Sequence, residues 1–407
     1  MTGSFRRGVR RLSILAAAAL SLIVAACGGG GPAPVADPLQ TTATWQVFFP
    51  TSTEIDGQTV TPTCSAAPGT NPQFRFWARR GTVNKLVVFF EGGGACWDGA
   101  TCSLPAYLGM PANAPFLYKG EVVPTDNPTQ LGGMFDVTNP SNPVKDWSMV
   151  YVPYCTGDIH AGSKTASYVN PATGQTYRIE HRGSDNFKVV LKWMRDNFNA
   201  PEQLLVTGSS AGGYGAILNY PYVRQAYPNA RSMVLADAAQ GVTPASFDTL
   251  RNSNWNFQLS STVYGANPQS TPTNELVRRL AQHYPNDVVA QYTTALDLVQ
   301  MQFYDIMING LTGVQGTACQ AWTDQMLVGL QANQSVPNFR SYLAAGTTHT
   351  LMRGNTFNQA GQPLYYAENS ASGVAFINWM RDLIDGRGAP NVACTNCTTF
   401  PPGQCPF

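Results

Sequence analysis

Short apolar runs of strand length recur along the chain and are separated by longer segments of mixed character. Six of them are rich in Val, Leu, Phe and Tyr: 85–90, 147–152, 203–207, 232–236, 288–293 and 341–345. Near-continuous apolar runs are typical of strands that are covered on both faces, as in a parallel sheet. The pattern therefore predicts a mostly parallel central sheet.

Helical periodicity lies between some of these runs. After Ser184, which we expect to be the N-cap, apolar residues recur on one helix face: Phe187, Val190, Leu191, Met194 and Phe198. Residues 374–384 repeat this pattern, whereas residues 40–76 look β-like and predict an early antiparallel strand or hairpin. Alternating strands and helices indicate an α/β fold flanked by helices, and the polar segment 241–281 is the candidate for a small cap insertion.

One predicted strand ends in the run Gly208-Ser209-Ser210-Ala211-Gly212, and a helical pattern follows it. Strand, G-x-S-x-G and helix in this order are the context of a nucleophile elbow, whose small residues permit a strained turn. Backbone N–H groups at the helix N-terminus can stabilise developing negative charge there. Ser210 is therefore the predicted nucleophile, and the alternative is a Gly/Ser-rich turn without chemistry.

A serine nucleophile needs a general base, and the chain has 4 histidines. His349 follows the last predicted strand and precedes the final helix, at the sheet edge where such a base is needed. Its imidazole, with an ordinary pKa of about 6.5, can take the serine proton and return it to the leaving alcohol. His160 and His181 precede the nucleophile and His283 falls in a predicted helix, so we predict His349. Its alternative role is to cap the final helix.

The acid of a triad on this scaffold should lie between serine and histidine in chain order. The main candidates are Asp237, Asp248, Asp287, Asp297 and Asp305. Asp297 follows strand 288–293 and so reaches the same sheet edge as the serine and the histidine. Its role would be to orient the imidazole and stabilise the imidazolium. Asp237 lies one strand earlier and Asp305 lies inside the next helix, and both stay open as alternatives.

A triple glycine, residues 92–94, directly follows the predicted strand 85–90. Glycines allow backbone N–H groups to approach a tetrahedral oxyanion without obstruction by side chains. Gly93 and Gly94, together with the N–H of Ala211, are the predicted oxyanion-hole donors. A simple tight turn is the alternative.

The N-terminus has the pattern of a lipoprotein signal. A segment with 4 arginines precedes the apolar run 12–26, and residues 24–27 match a lipobox that ends in Cys27. We therefore expect a signal peptide over 1–26, a lipidated Cys27 followed by a flexible tether to residue 40, and one domain over 41–407. Gly28 after the cysteine fits outer-membrane anchoring. A secretory signal with an incidental Cys27 is the alternative.

Removal of the signal leaves 21 basic against 24 acidic side chains, because the segment holds 4 of the 25 Lys and Arg residues. This slightly acidic balance gives no reason to expect nucleic acid as a partner. The expected partners are an ester substrate and, through the lipid, a membrane.

Eight cysteines remain once Cys27 is assigned to lipid: Cys64, Cys96, Cys102, Cys155, Cys319, Cys394, Cys397 and Cys405. An even number in an exported chain predicts up to four disulfides, and the short spacing makes Cys96–Cys102 the first pair. The C-terminal Cys-x-x-Cys could suggest zinc, but no histidine lies near it and the compartment is oxidising. We expect no metal and no cofactor.

Together these motifs resemble the pectin acetylesterase family, which includes the Notum-like carboxylesterases. The matching segments are 91–97 with Cys102, 152–158, 208–213, 295–300 with Asp297, and G-T-x-H at His349. The resemblance implies an α/β-hydrolase fold that acts on acyl esters without a metal, and it favours Asp297 over the rival acids.

Three features depart from the family pattern. Ala95 stands where relatives often carry an aromatic residue, residues 237–239 vary the family's D-S/A-G pattern, and the tail 388–407 has no counterpart. These differences concern the substrate rather than the chemistry. The predicted function is an exported, lipid-anchored serine carboxylesterase that cleaves short acyl esters on a polysaccharide such as pectin. A hydrolase of a polyester or another esterified polymer, and a non-catalytic carbohydrate-binding lipoprotein, are the alternatives.

Overall fold

A computed structural model describes residues 43–103, 117–311, 318–370 and 372–400. The predicted signal peptide, the lipidated Cys27, the tether and Cys405 lie outside these residues. Within the described part of the chain, no helix has the length and apolar character that a membrane span requires.

A sheet of eight strands, six of which run parallel to one another, forms the centre of the fold. The strands are β1 Gln46–Phe48, β2 Thr53–Ile55, β3 Gln58–Val60, β4 Phe76–Arg79, β5 Lys85–Phe90, β6 Ser148–Val152, β7 Lys164–Val169, β8 Thr176–His181, β9 Gln203–Ser209, β10 Arg231–Asp237, β11 Val288–Thr294 and β12 Phe339–Ala344. The order in the sheet is β1-β4-β6-β5-β9-β10-β11-β12. From β6 to β12 all pairs are parallel, whereas β4 is antiparallel to both of its neighbours.

All six apolar runs form strands of this parallel part, and almost every residue of β5, β6, β9 and β10 is buried. Helices cover the sheet; α2, for example, packs on β9 and β10. Burial on both faces accounts for the absence of polar alternation in these runs. The prediction of a mostly parallel sheet is confirmed.

The helices of the described residues are α1 Gly183–Asn197, α2 Ala211–Ala226, α3 Ala245–Trp255, α4 Ser261–Tyr264, α5 Leu276–His283, α6 Leu298–Asn309, α7 Ala318–Gln334, α8 Leu364–Ala367 and α9 Phe376–Asp385. The predicted apolar face of α1 is buried. Ser184 as N-cap is wrong, because α1 begins at Gly183 and its N-cap is Arg182. The N–H of Gly183 instead donates to Asp158 Oδ2 at 2.7 Å, so a carboxylate from a distant loop takes the capping role.

Two other segments can be compared with their predictions. Residues 43–76 contain β1 and the β2–β3 hairpin, in agreement with the predicted β character. The candidate cap segment 241–281 contains α3, α4 and most of α5, and Trp255 and Phe257 within it are fully buried. Whether it acts as a cap stays a prediction.

Disulfides connect loops around the sheet. Cys96–Cys102 forms as its spacing predicts, and the other described pairs are Cys64–Cys155 and Cys394–Cys397. Cys319 is also disulfide-bonded. Such bonds are typical of proteins that fold in an oxidising compartment and therefore indicate an export route.

Candidate active site

Ser210 occupies the sharp turn between β9 and α2. Its backbone has φ 59° and ψ −126°, a left-handed conformation that is costly for a residue with a side chain. Two flanking glycines are needed here, because a Cβ on Gly208 would clash with the carbonyl oxygen of Gly212, and one on Gly212 with that of Phe90. The turn therefore has the strained geometry of a nucleophile elbow.

His349 and Asp297 are in direct contact. His349 Nδ1 lies 2.9 Å from both carboxylate oxygens of Asp297, which is fully buried. His349 lies in the loop after β12, and Asp297 lies between β11 and α6. Since β11 and β12 are parallel neighbours, their carboxyl ends bring two residues 52 positions apart to the same edge. The arrangement allows the carboxylate to hold the N–H of Nδ1 and leave Nε2 as the basic nitrogen.

Asp297 is held by several donors besides the imidazole. It is the N-cap of α6, where Oδ1 accepts from the N–H of Val299 and of Gln300 at 3.1 and 3.0 Å. The side chain of Gln300 donates to Oδ2 at 2.8 Å and accepts from the N–H of Gln240 at 3.0 Å. These bonds fix the position of the carboxylate relative to the imidazole.

His349 Nε2 is buried and has no hydrogen-bond partner in the described structure. Its ring borders the pocket that Ser210 also lines, and 19% of the side chain is exposed. The described hydrogen bonds therefore include none between Ser210 Oγ and His349 Nε2. A buried polar nitrogen without a partner is rare, and this one is available to a ligand or to a nucleophile.

The pocket beside Ser210 encloses ≈ 600 Å³, including space open to solvent. It is lined by Gly94, Ala95, Ile159, Ser210, Ala211, Tyr214, Ala238, Val242, Thr243, Phe247, Thr273, Val299, Gln300, Phe303, Tyr304, Met307, Trp322 and His349. Most of these residues are apolar or aromatic, and apart from the histidine none carries an ionisable group that is charged near neutral pH. The lining suits a neutral, apolar group.

The electrostatic surroundings of His349 favour its protonated form. Burial of the ring lowers its pKa, but the charge of Asp297 and the hydrogen bond to it raise the pKa more, and Asp237 adds to this increase. The net pKa of His349 is therefore raised above its ordinary value of 6.5. A raised pKa suits a base that must hold a proton during the reaction.

The glycine loop after β5 packs directly on the elbow. A Cβ on Gly92 would lie 2.9 Å from Ser210 Cβ, and one on Gly94 would clash with the carbonyl oxygen of Leu117. Gly94 has φ 72° and lines the pocket. Ala211 is the first residue of α2, so its N–H has no acceptor within the helix. Gly93 is not among the residues that line the pocket, and its carbonyl accepts from the N–H of Lys119 at 2.8 Å.

The other three histidines lie away from the pocket lining. His160 Nε2 lies 2.8 Å from the carbonyl oxygen of Glu91, and burial lowers the pKa of His160 to about 4. A ring nitrogen facing a carbonyl must carry the proton, so Nε2 is the donor. His181 is bonded to Thr156 and Tyr168, and burial lowers its pKa to about 3. His283 is the last residue of α5, so it lies in a helix as predicted.

The rival acids do not contact the imidazole in the described hydrogen bonds. Asp248 pairs with Arg251, and Asp287 pairs with Arg224 and Tyr220. Asp305 lies two turns into α6, where it accepts from Asn309. Asp237 ends β10 as expected, but its side chain bonds to Ser209 and to backbone N–H groups of the His349 loop.

The sequence did not predict a buried ionic cluster that begins at Glu91, directly before the glycine loop. Glu91 is fully buried; Lys119 Nζ lies 2.7 Å from its Oε2 and Arg353 lies 3.3 Å from its Oε1. Lys119 also pairs with Asp126 at 2.7 Å. Burial raises the pKa of Glu91, but the two cations lower it more, so the carboxyl stays charged. Arg353 follows His349 by four residues, so the cluster joins the glycine loop to the histidine loop.

One group of potential metal ligands does not make a metal site. Side-chain atoms of Cys96, Cys102 and His181 lie within 4.8 Å of one another. The two sulfur atoms form a disulfide, so neither offers the thiolate that a metal such as zinc requires.

Parts of this chain are similar in sequence to known proteins. Palmitoleoyl-protein carboxylesterase NOTUM of Schmidtea mediterranea is 28% identical over 150 residues, which cover 35% of this chain and 26% of that protein. Pectin acetylesterase 11 of Arabidopsis thaliana is 29% identical over 177 residues, which cover 42% of this chain and 41% of that protein. The chain thus matches less than half the length of either relative.

The solved structure of the Wnt deacylase Notum from Drosophila has a TM-score of 0.55 to this chain at 16% identity. The superposition covers 83% of this chain and 94% of that structure, which supports the predicted α/β-hydrolase fold. Residues 61–362 match the Pectinacetylesterase family. Because this match covers most of the sequence, the protein belongs to the Pectinacetylesterase family.

Proposed function

We propose that this protein is a serine carboxylesterase with Ser210 as nucleophile, His349 as base and Asp297 as the orienting acid. The observation that carries the proposal is the His349–Asp297 pair: His349 lines the same pocket as Ser210, and its Nε2 has no hydrogen-bond partner in the described structure. Family membership supports the same reaction class.

The proposed reaction begins when Ser210 Oγ attacks the ester carbonyl while His349 Nε2 accepts its proton. The N–H groups of Gly93, Gly94 and Ala211 stabilise the oxyanion of the tetrahedral intermediate. The imidazolium then protonates the leaving alcohol, and an acyl-enzyme remains. Water, activated by the same imidazole, cleaves this ester and releases the acid and the free serine.

The first candidate substrate is a short acyl ester on a polysaccharide such as pectin. Its support is the family and the pectin acetylesterases among the relatives. The pocket favours a second candidate, a longer acyl group or a polyester, because most of its lining residues are apolar or aromatic. A relative named palmitoleoyl-protein carboxylesterase is consistent with an acyl chain of this kind.

Chain-length dependence tests the acyl side. We expect kcat/KM for p-nitrophenyl octanoate to equal or exceed the value for the acetate, because each buried CH₂ contributes about 0.8 kcal/mol. Met307, which lines the pocket from α6, is the residue to enlarge. Met307→Trp should lower the octanoate-to-acetate ratio of kcat/KM by about 10-fold or more.

The neighbouring residue provides a matched control. Ile308 follows Met307 on α6 but is 44% exposed and does not line the pocket. Ile308→Trp should leave the ratio unchanged. If the wild type prefers the acetate and neither variant changes the ratio, the acyl group does not bind in this pocket. The short acyl ester would then be the better candidate substrate.

The pH dependence follows from the raised pKa of His349. The base must be neutral to accept the serine proton, so activity requires a pH above its pKa. Because that pKa is raised above 6.5, we expect kcat/KM to fall as the pH decreases through a midpoint above 6.5. A pH–rate profile between pH 5 and 9 measures this midpoint in the free enzyme; an acid limb centred well below 6.5 would contradict the described His349–Asp297 contact.

The non-catalytic alternative makes a different prediction for covalent labelling. A fluorophosphonate probe reacts with a serine only when the base and the oxyanion donors activate it. We expect the native protein to be labelled, and heat-denatured protein to be unlabelled. A folded protein that resists the probe and hydrolyses no ester would favour a carbohydrate-binding lipoprotein.

Lipid anchoring is part of the same proposal and depends on sequence alone. The lipobox at 24–27 supports lipidation of Cys27 and attachment to the outer membrane. The disulfides support export. An anchored esterase would act on polymers or oligomers that reach the membrane surface.

A further inference from the structure

Asp237 is a buried carboxylate at the active site that the proposed reaction does not use. It ends β10, and the register places it opposite Ser209 of the elbow. The residue is fully buried. Burial of a carboxylate costs free energy unless hydrogen bonds or opposite charges compensate it, so the contacts of Asp237 show what holds it there.

Asp237 contacts the elbow twice. The hydroxyl of Ser209 donates to its Oδ2 at 2.6 Å, and the N–H of Ser210 donates to its backbone carbonyl at 2.7 Å. The residue therefore holds the backbone of the nucleophile directly, in a turn with unfavourable dihedral angles.

The same Oδ2 holds the histidine loop. It accepts from the N–H of Leu351 and of Met352 at 3.1 Å each. These residues follow His349 by two and three positions, and both are fully buried. One oxygen atom thus joins the strand of the nucleophile to the loop of the base, across 114 residues of sequence.

The second oxygen, Oδ1, is buried and has no hydrogen-bond partner in the described structure. The charged and titratable groups that interact with Asp237 are His349, which lies close enough for its charge to favour the carboxylate, and the buried phenol of Tyr292 on β11. Burial raises the pKa of Asp237 to about 6, although its hydrogen bonds oppose this shift. A purely structural anchor would be served by a neutral acceptor as well as by a carboxylate.

We propose that Asp237 is a positioning residue that ties the nucleophile elbow to the histidine loop and places a second negative charge near the imidazole. The inference rests on the proposed serine esterase function. Its hydrogen bonds to the elbow and to the histidine loop set the distance between Ser210 and His349. Its charge, together with that of Asp297, stabilises the imidazolium that forms when the serine loses its proton.

Two substitutions separate the two roles. In Asp237→Asn the amide oxygen keeps the place of Oδ2 and its three donors, while the NH₂ group occupies the position of the unpartnered Oδ1, so only the charge is lost. Asp237→Ala removes the charge and the three side-chain hydrogen bonds, and it keeps the backbone carbonyl that accepts from the N–H of Ser210. We measure kcat and KM for a p-nitrophenyl ester, normalised to active sites by fluorophosphonate titration, so that misfolded protein does not count.

We expect Asp237→Asn to lower kcat by about 3- to 10-fold and Asp237→Ala by about 100-fold, with KM nearly unchanged, because small displacements of reacting groups are costly. The acid limb of the Asn variant should shift to lower pH, because the charge of Asp237 raises the pKa of His349. Asp287→Asn is the matched control: this carboxylate is also buried and bonded to Tyr220 and Arg224, and its loss should leave kcat per active site and the acid limb unchanged.

Wild-type kcat per titrated site in both Asp237 variants would overturn the inference, as would an unshifted acid limb in Asp237→Asn. If Asp237→Ala does not fold, the Asn variant still decides the charge role. Failure of the proposed function is distinct, because the wild-type protein would then neither react with the probe nor hydrolyse the ester.

Discussion

Ser210→Ala is expected to lower kcat for p-nitrophenyl ester hydrolysis by about 10⁴- to 10⁶-fold, since the covalent pathway depends on this one oxygen atom. Alanine fits the turn as well as serine does, and Ser210 makes no side-chain cap for α2. The far-UV circular dichroism and the thermal midpoint should therefore stay near those of the wild type. Initial rates and fluorophosphonate labelling measure the loss.

The adjacent serine is the natural control for this prediction. Ser209 has the same chemistry, but its hydroxyl donates to Asp237 and does not line the pocket. Ser209→Ala should still be labelled, although removal of a bond to Asp237 lowers kcat moderately. Labelling that persists in Ser210→Ala and disappears in Ser209→Ala would show that the elbow presents the other serine.

Asp297→Asn has the second largest expected effect, a decrease in kcat of about 10⁴-fold. The carboxylate holds the N–H of His349 Nδ1, whereas an asparagine can present its NH₂ group and stabilise the wrong tautomer. Asparagine is as good an N-cap as aspartate, so α6 should keep its start. Measurement of kcat and of the circular dichroism spectrum should show a strongly reduced rate of hydrolysis and an unchanged spectrum.

Asp305→Asn separates this role from a general effect of losing a buried carboxylate on α6. Asp305 lies on the same helix and is equally buried, but its described bond is to Asn309. We expect its kcat to stay within about 3-fold of the wild type, as for substitutions outside the reacting groups. A larger loss in Asp305→Asn than in Asp297→Asn would reassign the acid.

The strands of the sheet could be predicted because their information is local. A strand buried on both faces, such as β5 or β9, needs an unbroken apolar run whatever its partners are. The start of α1 could not be predicted in this way. Ser184 is a good capping residue by type, but Asp158 already satisfies the N–H of Gly183, and this contact exists only after the loop containing Asp158 has folded onto α1.

The candidate site also has residues that the sequence predicts and residues that only the folded structure reveals. Chain order and motif spacing identify Ser210, Asp297 and His349 as candidates, because a nucleophile elbow and its partners follow known positions at the carboxyl edge of a parallel sheet. The cluster of Glu91, Lys119 and Arg353 leaves no such signal. Lys119 follows Glu91 by 28 residues, and Arg353 lies much further along the chain. Only the folded structure brings the two cations to the buried carboxylate.

By itself, the sequence determined the parallel α/β sheet, the glycine-flanked serine and the candidates for base and acid, because each depends on residues that are adjacent in the chain. Only the tertiary structure decided which aspartate contacts the imidazole, which residues line the pocket and what Asp237 holds together. These are contacts between distant segments, and their energies depend on burial and geometry that no local pattern encodes.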